Sequence, residues 1–291
     1  MTKSYIDLHC HSIYSGGCLT PKQLIQWAKQ ENIRVISLTD HNTIAGAKEL
    51  LQATSQTGIK ALPGVEIYTT YKKKLLHLLA YNFDLENKLL QTTLKKLCQK
   101  RVKLINYNIE KLKKIGFRIK PFNFSDRYYP DLTFITNQLI NNKFNLAKVK
   151  KITRKKFPDL FTLINTFLAK GKIAYSPEIG LPINEVLALV KKINGLPILA
   201  HPGQQLRWSE DNITLELKKL GLKGIEVFTP YHNWHQIEHY QELARQHKLL
   251  ITGGSDFHCD LPQKNLLIKN ASTYFKVPLA IYQNLKPDLK N

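Results

Sequence analysis

The feature that most restricts this chain is a recurrence. An apolar, often β-branched run ends in a histidine, aspartate or glutamate, a helical stretch follows, and the pattern starts again. Tyr5-Ile6-Asp7-Leu8-His9-Cys10-His11-Ser12 opens the series. Thr39-Asp40-His41, Pro63-Gly64-Val65-Glu66, His77, Ala200-His201-Pro202 and Gly254-Ser255-Asp256-Phe257-His258 continue it. If Tyr5 to Ser12 is extended, Asp7, His9 and His11 share one face and Leu8 and Cys10 the other. Strands separated by helices pair in parallel through right-handed crossovers. Ligand-type residues at the C-terminal ends of successive strands meet at one place when the sheet closes into a barrel, because its loops converge on that rim. An α/β barrel is therefore expected. A doubly wound open sheet is the rival, but it seldom collects side chains from so many strands at one point.

The elements between these motifs have their own signals. Thr20-Pro21-Lys22-Gln23 predicts a capping box and a proline in the first turn, with Leu24, Ile25, Trp27 and Ala28 as the buried stripe. Strands are expected over 33–39, 59–68 and 74–81, and a helix over 43–54. From Asp84 the period changes: Leu90, Leu94, Leu97, Ile105, Ile109, Leu112 and Ile115 recur at three- and four-residue spacing up to Gly116. Shorter helices mixed with Phe122, Phe124, Arg127, Tyr128 and Tyr129 follow. Residues 84–172 thus read as a helical insertion covering the site, and 1–83 with 173–291 as the barrel. Helices are expected over 183–192, 213–220 and 235–247, and strands over 196–200, 224–228 and 249–252.

Lys plus Arg is 43 against 22 Asp plus Glu, a formal charge of +21 with a pI near 9.7. That balance fits a polyanionic partner, a nucleotide or short nucleic acid, although a Lys-, Asn- and Ile-rich composition also follows from an AT-biased genome. Met1-Thr2-Lys3-Ser4 leads straight into a strand interrupted by Asp7, so no signal peptide is expected, and no apolar run is long enough for a bilayer. A cytoplasmic protein with no membrane association and no obligate protein partner is expected. Cys10, Cys18, Cys98 and Cys259 form no Cys-x-x-Cys pair, in agreement with a reducing compartment.

Six of the ten histidines, His9, His11, His41, His77, His201 and His258, fall in the recurring motifs, joined by Glu66 and Asp256. Imidazole and carboxylate without thiolate suits manganese, zinc or iron at a hydrolytic centre. Closely spaced cations that share a bridging carboxylate can hold a water as hydroxide near neutral pH and screen charge on a phosphoryl group. His235-x-x-x-His239 imitates a helical metal pair, but Gln236 stands where a zincin needs glutamate, and the pair reads as solvated helix surface.

Asp-Leu-His-Cys-His-Ser, Thr-Asp-His, Pro-Gly-Val-Glu, the His77 strand, Ala-His-Pro, Gly-Ile-Glu-Val and Gly-Gly-Ser-Asp-Phe-His together resemble the polymerase and histidinol phosphatase (PHP) domain, from Tyr5 to about Leu261. The likeness is strongest to the stand-alone phosphoesterases that act on nucleoside 3′,5′-bisphosphates and on the 5′ ends of short RNA. The resemblance implies a distorted (β/α)7-type barrel with a helical insertion, and a metal-dependent phosphoesterase in which a metal-bridged hydroxide attacks phosphorus. It implies two or three divalent ions, manganese first and zinc or iron as alternatives. His9, His11, Glu66 and Asp256 would hold one ion; Glu66 would bridge to a second with His77 and His201; His41 and His258 would hold a third. Asp7 and Asp40 are expected to orient histidines, His232 and His258 to serve in catalysis, and Arg101 and Arg127 to clamp phosphate.

Two departures stand out. The family's Ser-Asp-Gly is Ser15-Gly16-Gly17 here, which removes a carboxylate from the third site and makes Gly16→Asp an expected way to tighten it. Leu132-Thr133-Phe134-Ile135-Thr136 replaces an Arg-Pro-His-type segment that contacts phosphate. The alternatives are a nucleic-acid-binding or regulatory module with a partly eroded site, which has no need of eight ligands, and a histidinol phosphate phosphatase, whose small substrate needs no long cover.

Overall fold

A computed structural model of the chain describes residues 3–55, 57–123, 125, 127–258 and 275–289; Phe124, Cys259 and Leu261 lie outside them. Seven strands form a nearly closed barrel: β1 (Tyr5–Cys10), β2 (Ile33–Leu38), β3 (Lys60–Tyr71), β4 (Lys74–Tyr81), β6 (Leu196–Leu199), β7 (Gly224–Phe228) and β8 (Leu250–Gly253). The two-residue strands β5 (Leu181–Pro182) and β9 (Val277–Pro278) pair with the edges of β3 and β1. β1, β2 and β3 are parallel, as are β6, β7 and β8. All-parallel pairing is corrected at β4, which is antiparallel to both β3 and β6. The reason is local: Lys72 and Lys73 take left-handed φ values of 47° and 65°, and this tight turn folds β4 back as a hairpin instead of a crossover.

Closure is made by backbone. The Asp256 N–H donates to His9 O at 2.7 Å and the His11 N–H to Phe257 O at 2.8 Å, so the segment after β8 lies along β1. Gly254 permits the approach, since a Cβ there would meet His9 N at 2.3 Å and His9 Cβ at 2.4 Å. Inside the barrel Ile6, Leu8, Val35, Leu62, Leu79, Tyr81 and Ile198 pack together, and the Tyr81 hydroxyl donates across it to Leu8 O at 2.8 Å.

Helices cover the outside. α1 (Pro21–Gln30) carries the predicted capping box on Thr20 and Gln23 and buries Leu24, Ile25, Trp27 and Ala28. α2 (Ala47–Thr54) starts four residues later than expected. α3 (Lys88–Lys114) is shared. Its Leu90, Leu94 and Leu97 pack on the barrel wall, while Ile105, Ile109 and Leu112 join a separate core with α4 (Leu132–Asn141), α5 (Lys143–Thr153) and α6 (Leu160–Leu163). α7 (Ile183–Lys192), α8 (Pro202–Gln205), α9 (Asp211–Lys219), α10 (Trp234–Gln246) and α11 (Leu279–Leu285) complete the chain. Among the described residues no helix is long and apolar enough to cross a membrane. Cys18 is disulfide-bonded, a departure from the reduced state expected of the cysteines. Cys10 and Cys98 keep buried thiols that donate to Ser37 O and Tyr128 O, each at 3.3 Å.

Candidate metal centre

The site begins with an irregularity in β1. Asp7 pairs with Ile36 and Cys10 with Leu38, so three steps on β1 oppose two on β2. Such a bulge reverses which side chains face inward. Leu8 therefore packs inside the barrel while Cys10 packs outward with Leu24, Ile36 and Leu38. Leu8 and Cys10 do not share a face, a correction of the simple alternation. With Cys10 turned outward, His9 and His11 project into the rim, both fully buried.

The ends of the other strands bring the rest. His41 follows β2, Glu66 lies within β3 and His77 within β4, while His201 and Asp256 follow β6 and β8. His201 and Asp256 have φ values of 24° and 49°, sparsely populated conformations for non-glycine residues that rigid surroundings must hold. Glu66 is the hub and is completely buried. Its Oε2 lies 3.3 Å from His9 Nε2, 3.4 Å from His11 Nε2 and 2.7 Å from His41 Nδ1, and its Oε1 lies 2.7 Å from His77 Nδ1 and 3.2 Å from His201 Nε2. Asp256 Oδ1 lies 2.8 Å from His11 Nε2 and 3.4 Å from His9 Nε2.

These atoms fit cations better than they fit one another. His9 Nε2, His11 Nε2, His41 Nδ1, Glu66 Oε2 and Asp256 Oδ1 are buried and lie against one another at ion-pair distances without hydrogen-bond geometry. Each such group costs about 1–3 kcal/mol when left unpaired. Two donors each about 2.0–2.1 Å from a tetrahedral ion are about 3.3 Å apart, and most of the separations above are close to that. Three ligand groups emerge, each with its atoms within 4.8 Å of one another: His9, His11, Glu66 and Asp256; Glu66, His77 and His201; and His11, His41 and His258.

The electrostatics agree. Burial disfavours charge on Glu66 and Asp256, yet the surrounding imidazoles hold both carboxyls well below the usual carboxylate range. Burial, reinforced by neighbouring imidazoles, lowers His11 and His77 and keeps them neutral, the ligating form. Burial also opposes charge on His9 and His41, but the carboxylates around them win and raise both.

A model of the PHP domain matches residues 7–172, more than half of the chain. The chain belongs to the PHP domain family. It is similar to a 3′,5′-nucleoside bisphosphate phosphatase of Chromobacterium violaceum, with 25% identity over 87% of each chain. The 5′-3′ exoribonuclease Rnm of Escherichia coli is 26% identical over 88% of this chain and 86% of its own. A Bifidobacterium adolescentis protein described as a metal-dependent phosphoesterase shares the fold, with a TM-score of 0.78, 23% identity, and 97% and 96% of the two chains covered.

Around the PHP cluster, buried groups fix the ligands. Glu226, named in the sequence without a settled role, is fully buried. Its Oε1 lies 3.0 Å from His9 Nδ1 and its Oε2 accepts the His201 N–H at 2.8 Å. Asp7 and Asp40 act on the candidate ligands from behind, through the backbone of His9 and through the Ser15 hydroxyl. Asp7 accepts the His9 N–H and bonds to Ser255, and burial raises its pKa to about 6 against the pull of those bonds. Asp40 accepts from Ser12 and from Ser15 Oγ, which reaches His11 Nδ1 at 3.3 Å. Sequence reasoning missed Gln205, whose Oε1 accepts the His77 N–H at 3.1 Å. It also missed Tyr68, stacked on His77 with centroids 4.3 Å apart, and Tyr231, whose hydroxyl pKa is raised by burial and by Asp256. None of the three carries a spacing signal; Gln205 comes from α8, Tyr68 from β3 and Tyr231 from the segment after β7.

Two expected roles change. His232 has both ring nitrogens engaged: Nδ1 is 2.9 Å from Val227 O, and Nε2 accepts the Gly203 N–H at 3.0 Å. Burial lowers its pKa and favours the neutral ring, whose two nitrogens hold the loop after His201. Arg101 is buried on Glu178 Oε1 at 2.8 Å and Pro130 O at 2.9 Å, a strut and not a phosphate clamp. Arg127 is exposed and bonds the Tyr14 hydroxyl at 2.7 Å. His258 keeps Nδ1 on Asp256 O at 2.9 Å, its ring stacked on His11 at 4.2 Å. Finally, Gly16 has a φ of 106°, and a Cβ there would lie 2.2 Å from Asp131 Oδ2. Gly16→Asp therefore meets an occupied position in a strained conformation, and the expected tightening is withdrawn.

His239, the second of the discounted helical pair, bonds Asp211 at 3.0 Å and stacks on Trp208 with centroids 5.2 Å apart, in keeping with a surface role.

Proposed function

We propose that this chain is a metal-dependent phosphoesterase that hydrolyses phosphate esters of nucleotides, either a nucleoside 3′,5′-bisphosphate or a 5′-phosphorylated oligonucleotide. The observation that carries the reading is the convergence of five buried ligand atoms on His9, His11, His41, Glu66 and Asp256 that meet one another without hydrogen-bond geometry. A set of buried imidazoles and carboxylates that face one another without hydrogen-bond geometry is completed by divalent cations. His9, His11, Glu66 and Asp256 would hold one cation and Glu66, His77 and His201 another, manganese being preferred with zinc and iron as alternatives. Bound cations supply Lewis acidity toward a phosphoryl group and lower the pKa of water.

The chain's own residues supply the remainder. Glu226 aims His9, Gln205 holds the His77 strand beside His201, and Gly254 lets the Asp256 loop close on β1. His258 lies at the open side of the cluster, its ring one-fifth exposed and Nδ1 taken by Asp256 O, so Nε2 is the nitrogen left to join His11 and His41 around a further cation. Next to it a cavity of about 400 Å³ runs between the β1–α1 loop and the helical segment, lined by Tyr14, Phe122, Tyr128, Tyr129, Phe134 and Asn137 among others. Aromatic faces with a side-chain amide suit a stacked nucleobase. Arg127, on Tyr14, is placed for a phosphate. We read 84–172 as a helical subdomain covering the site and 1–83 with 173–291 as the barrel. The +21 charge agrees with a polyanionic substrate.

The test pairs a metal count on purified protein with phosphate release from a nucleoside 3′,5′-bisphosphate and from a 5′-phosphorylated RNA. Release should need manganese and stop on chelation, and Glu66→Gln should lose both bound metal and release. Metals bound with no release from either substrate would overturn the reading.

A further inference from the structure

The third ligand group, His11, His41 and His258, contains no carboxylate. Three neutral imidazoles leave a divalent ion with its full charge, whereas each of the other two groups includes Glu66. Beside this group Gly16 leaves a gap that another side chain fills. A Cβ on Gly16 would lie 3.6 Å from His258 Cδ2 on one side and 2.2 Å from Asp131 Oδ2 on the other. Asp131 comes from the far side of the cavity, at the N-terminus of α4. Its Oδ1 is used locally: it accepts the Thr133 N–H at 2.9 Å and the Thr133 hydroxyl, and so caps the helix. Oδ2 has no part in that cap and faces the Gly16 gap.

A bare carboxylate at the mouth of a site that admits phosphate is repulsive to its substrate, and this repulsion is removed when the carboxylate binds a cation. We propose that Asp131 Oδ2 is the anionic ligand of a third cation held with His11, His41 and His258, supplied from the helical segment where the β1–α1 loop offers only Gly16. This rests on the reading of the cluster as a metal centre. A consequence is that the third cation ties the helical segment to the barrel rim, so its binding and the cover of the aromatic cavity are coupled.

Asp131→Ser separates capping from ligation, because serine caps a helix as well as aspartate does and carries no carboxylate. Asp131→Asn keeps shape as well. Manganese stoichiometry and affinity are read by calorimetry and elemental analysis on the full chain, with thermal melting of the metal-free protein as the fold control. The expected result is three equivalents in the unmodified chain and, in both variants, two tight sites unchanged with the third weakened at least about tenfold. Unchanged third-site affinity in the variants overturns the proposal. So does a chain that binds only two equivalents, although the two-cation centre then stands. A chain that binds no manganese sinks both readings. If Asp131 instead serves a ribose hydroxyl, the variants raise KM for ribonucleotides without moving the metal count, which also overturns it.

Discussion

Glu226 offers a way to test the metal centre without touching a ligand. It is completely buried, one carboxylate oxygen lies 3.0 Å from His9 Nδ1, and the other accepts the His201 backbone N–H at 2.8 Å. The first bond keeps the Nδ1 proton in place and turns Nε2 toward Glu66 and Asp256; the second fixes the loop that presents the His201 ring. Glu226→Gln keeps the volume but replaces one acceptor oxygen with an NH2 group, so one of the two N–H donors must face another donor. Removing the partner of a metal-bound histidine weakens metal affinity about 10- to 100-fold, equal to about 1.4–2.7 kcal/mol at 25 °C. At saturating metal the same figure is lost from the stabilisation that metal gives, a fall in Tm on the order of 5 °C for a chain of this size. Manganese affinity by competition with a chelator, and melting with and without manganese, measure the two quantities. If the variant binds manganese within twofold of the unmodified protein, Glu226 does not aim His9 and the argument from hydrogen-bonded orientation is refuted.

Three more outcomes are expected. His9 and His41 are raised above their ordinary value of 6.5, so in the metal-free protein their stabilisation is complete below about pH 6.5 and is lost as pH rises through the raised values. Metal must displace those protons, so affinity rises over the same range; melting curves with manganese and with chelator should diverge from pH 6.5 upward, and parallel curves would refute this. Gly254→Ala places a methyl 2.3 Å from His9 N and should cost about 3 kcal/mol or more in denaturant unfolding together with metal binding; unchanged stability would show that closure tolerates a side chain there. Arg101→Met should cost about 3 kcal/mol through the stranded Glu178 and leave KM unchanged, whereas Arg127→Ala should raise KM about tenfold with stability within about 0.5 kcal/mol. The opposite pattern would reverse the roles assigned to the two arginines.

Much of the barrel is written locally. A capping box at Thr20, a β-branched run before Asp40 and a lysine turn before His77 need only near neighbours, and β4, β7 and α7 have the limits expected of them. The eight candidate ligand positions are legible for the same reason: each sits at or near the end of an apolar run, and strand ends of a closed sheet must converge. The bulge in β1 is not legible, because it is set by pairing with β2 and decides only then that Cys10 turns outward and the histidines inward. Nor are the partners of buried groups. Arg101 reads as a phosphate clamp until Glu178 and Pro130, tens of residues away, close over it. His232 reads as an acid until Gly203 and Val227 take its two nitrogens. Asp131 carries no signal in the sequence, and only the fold sets its second oxygen against Gly16. Sequence alone determined the chemistry of the site, since residue type and strand period are local properties. Tertiary structure decided which of those groups have hydrogen-bond partners and which are left for a cation, since that depends on atoms brought together from opposite ends of the chain.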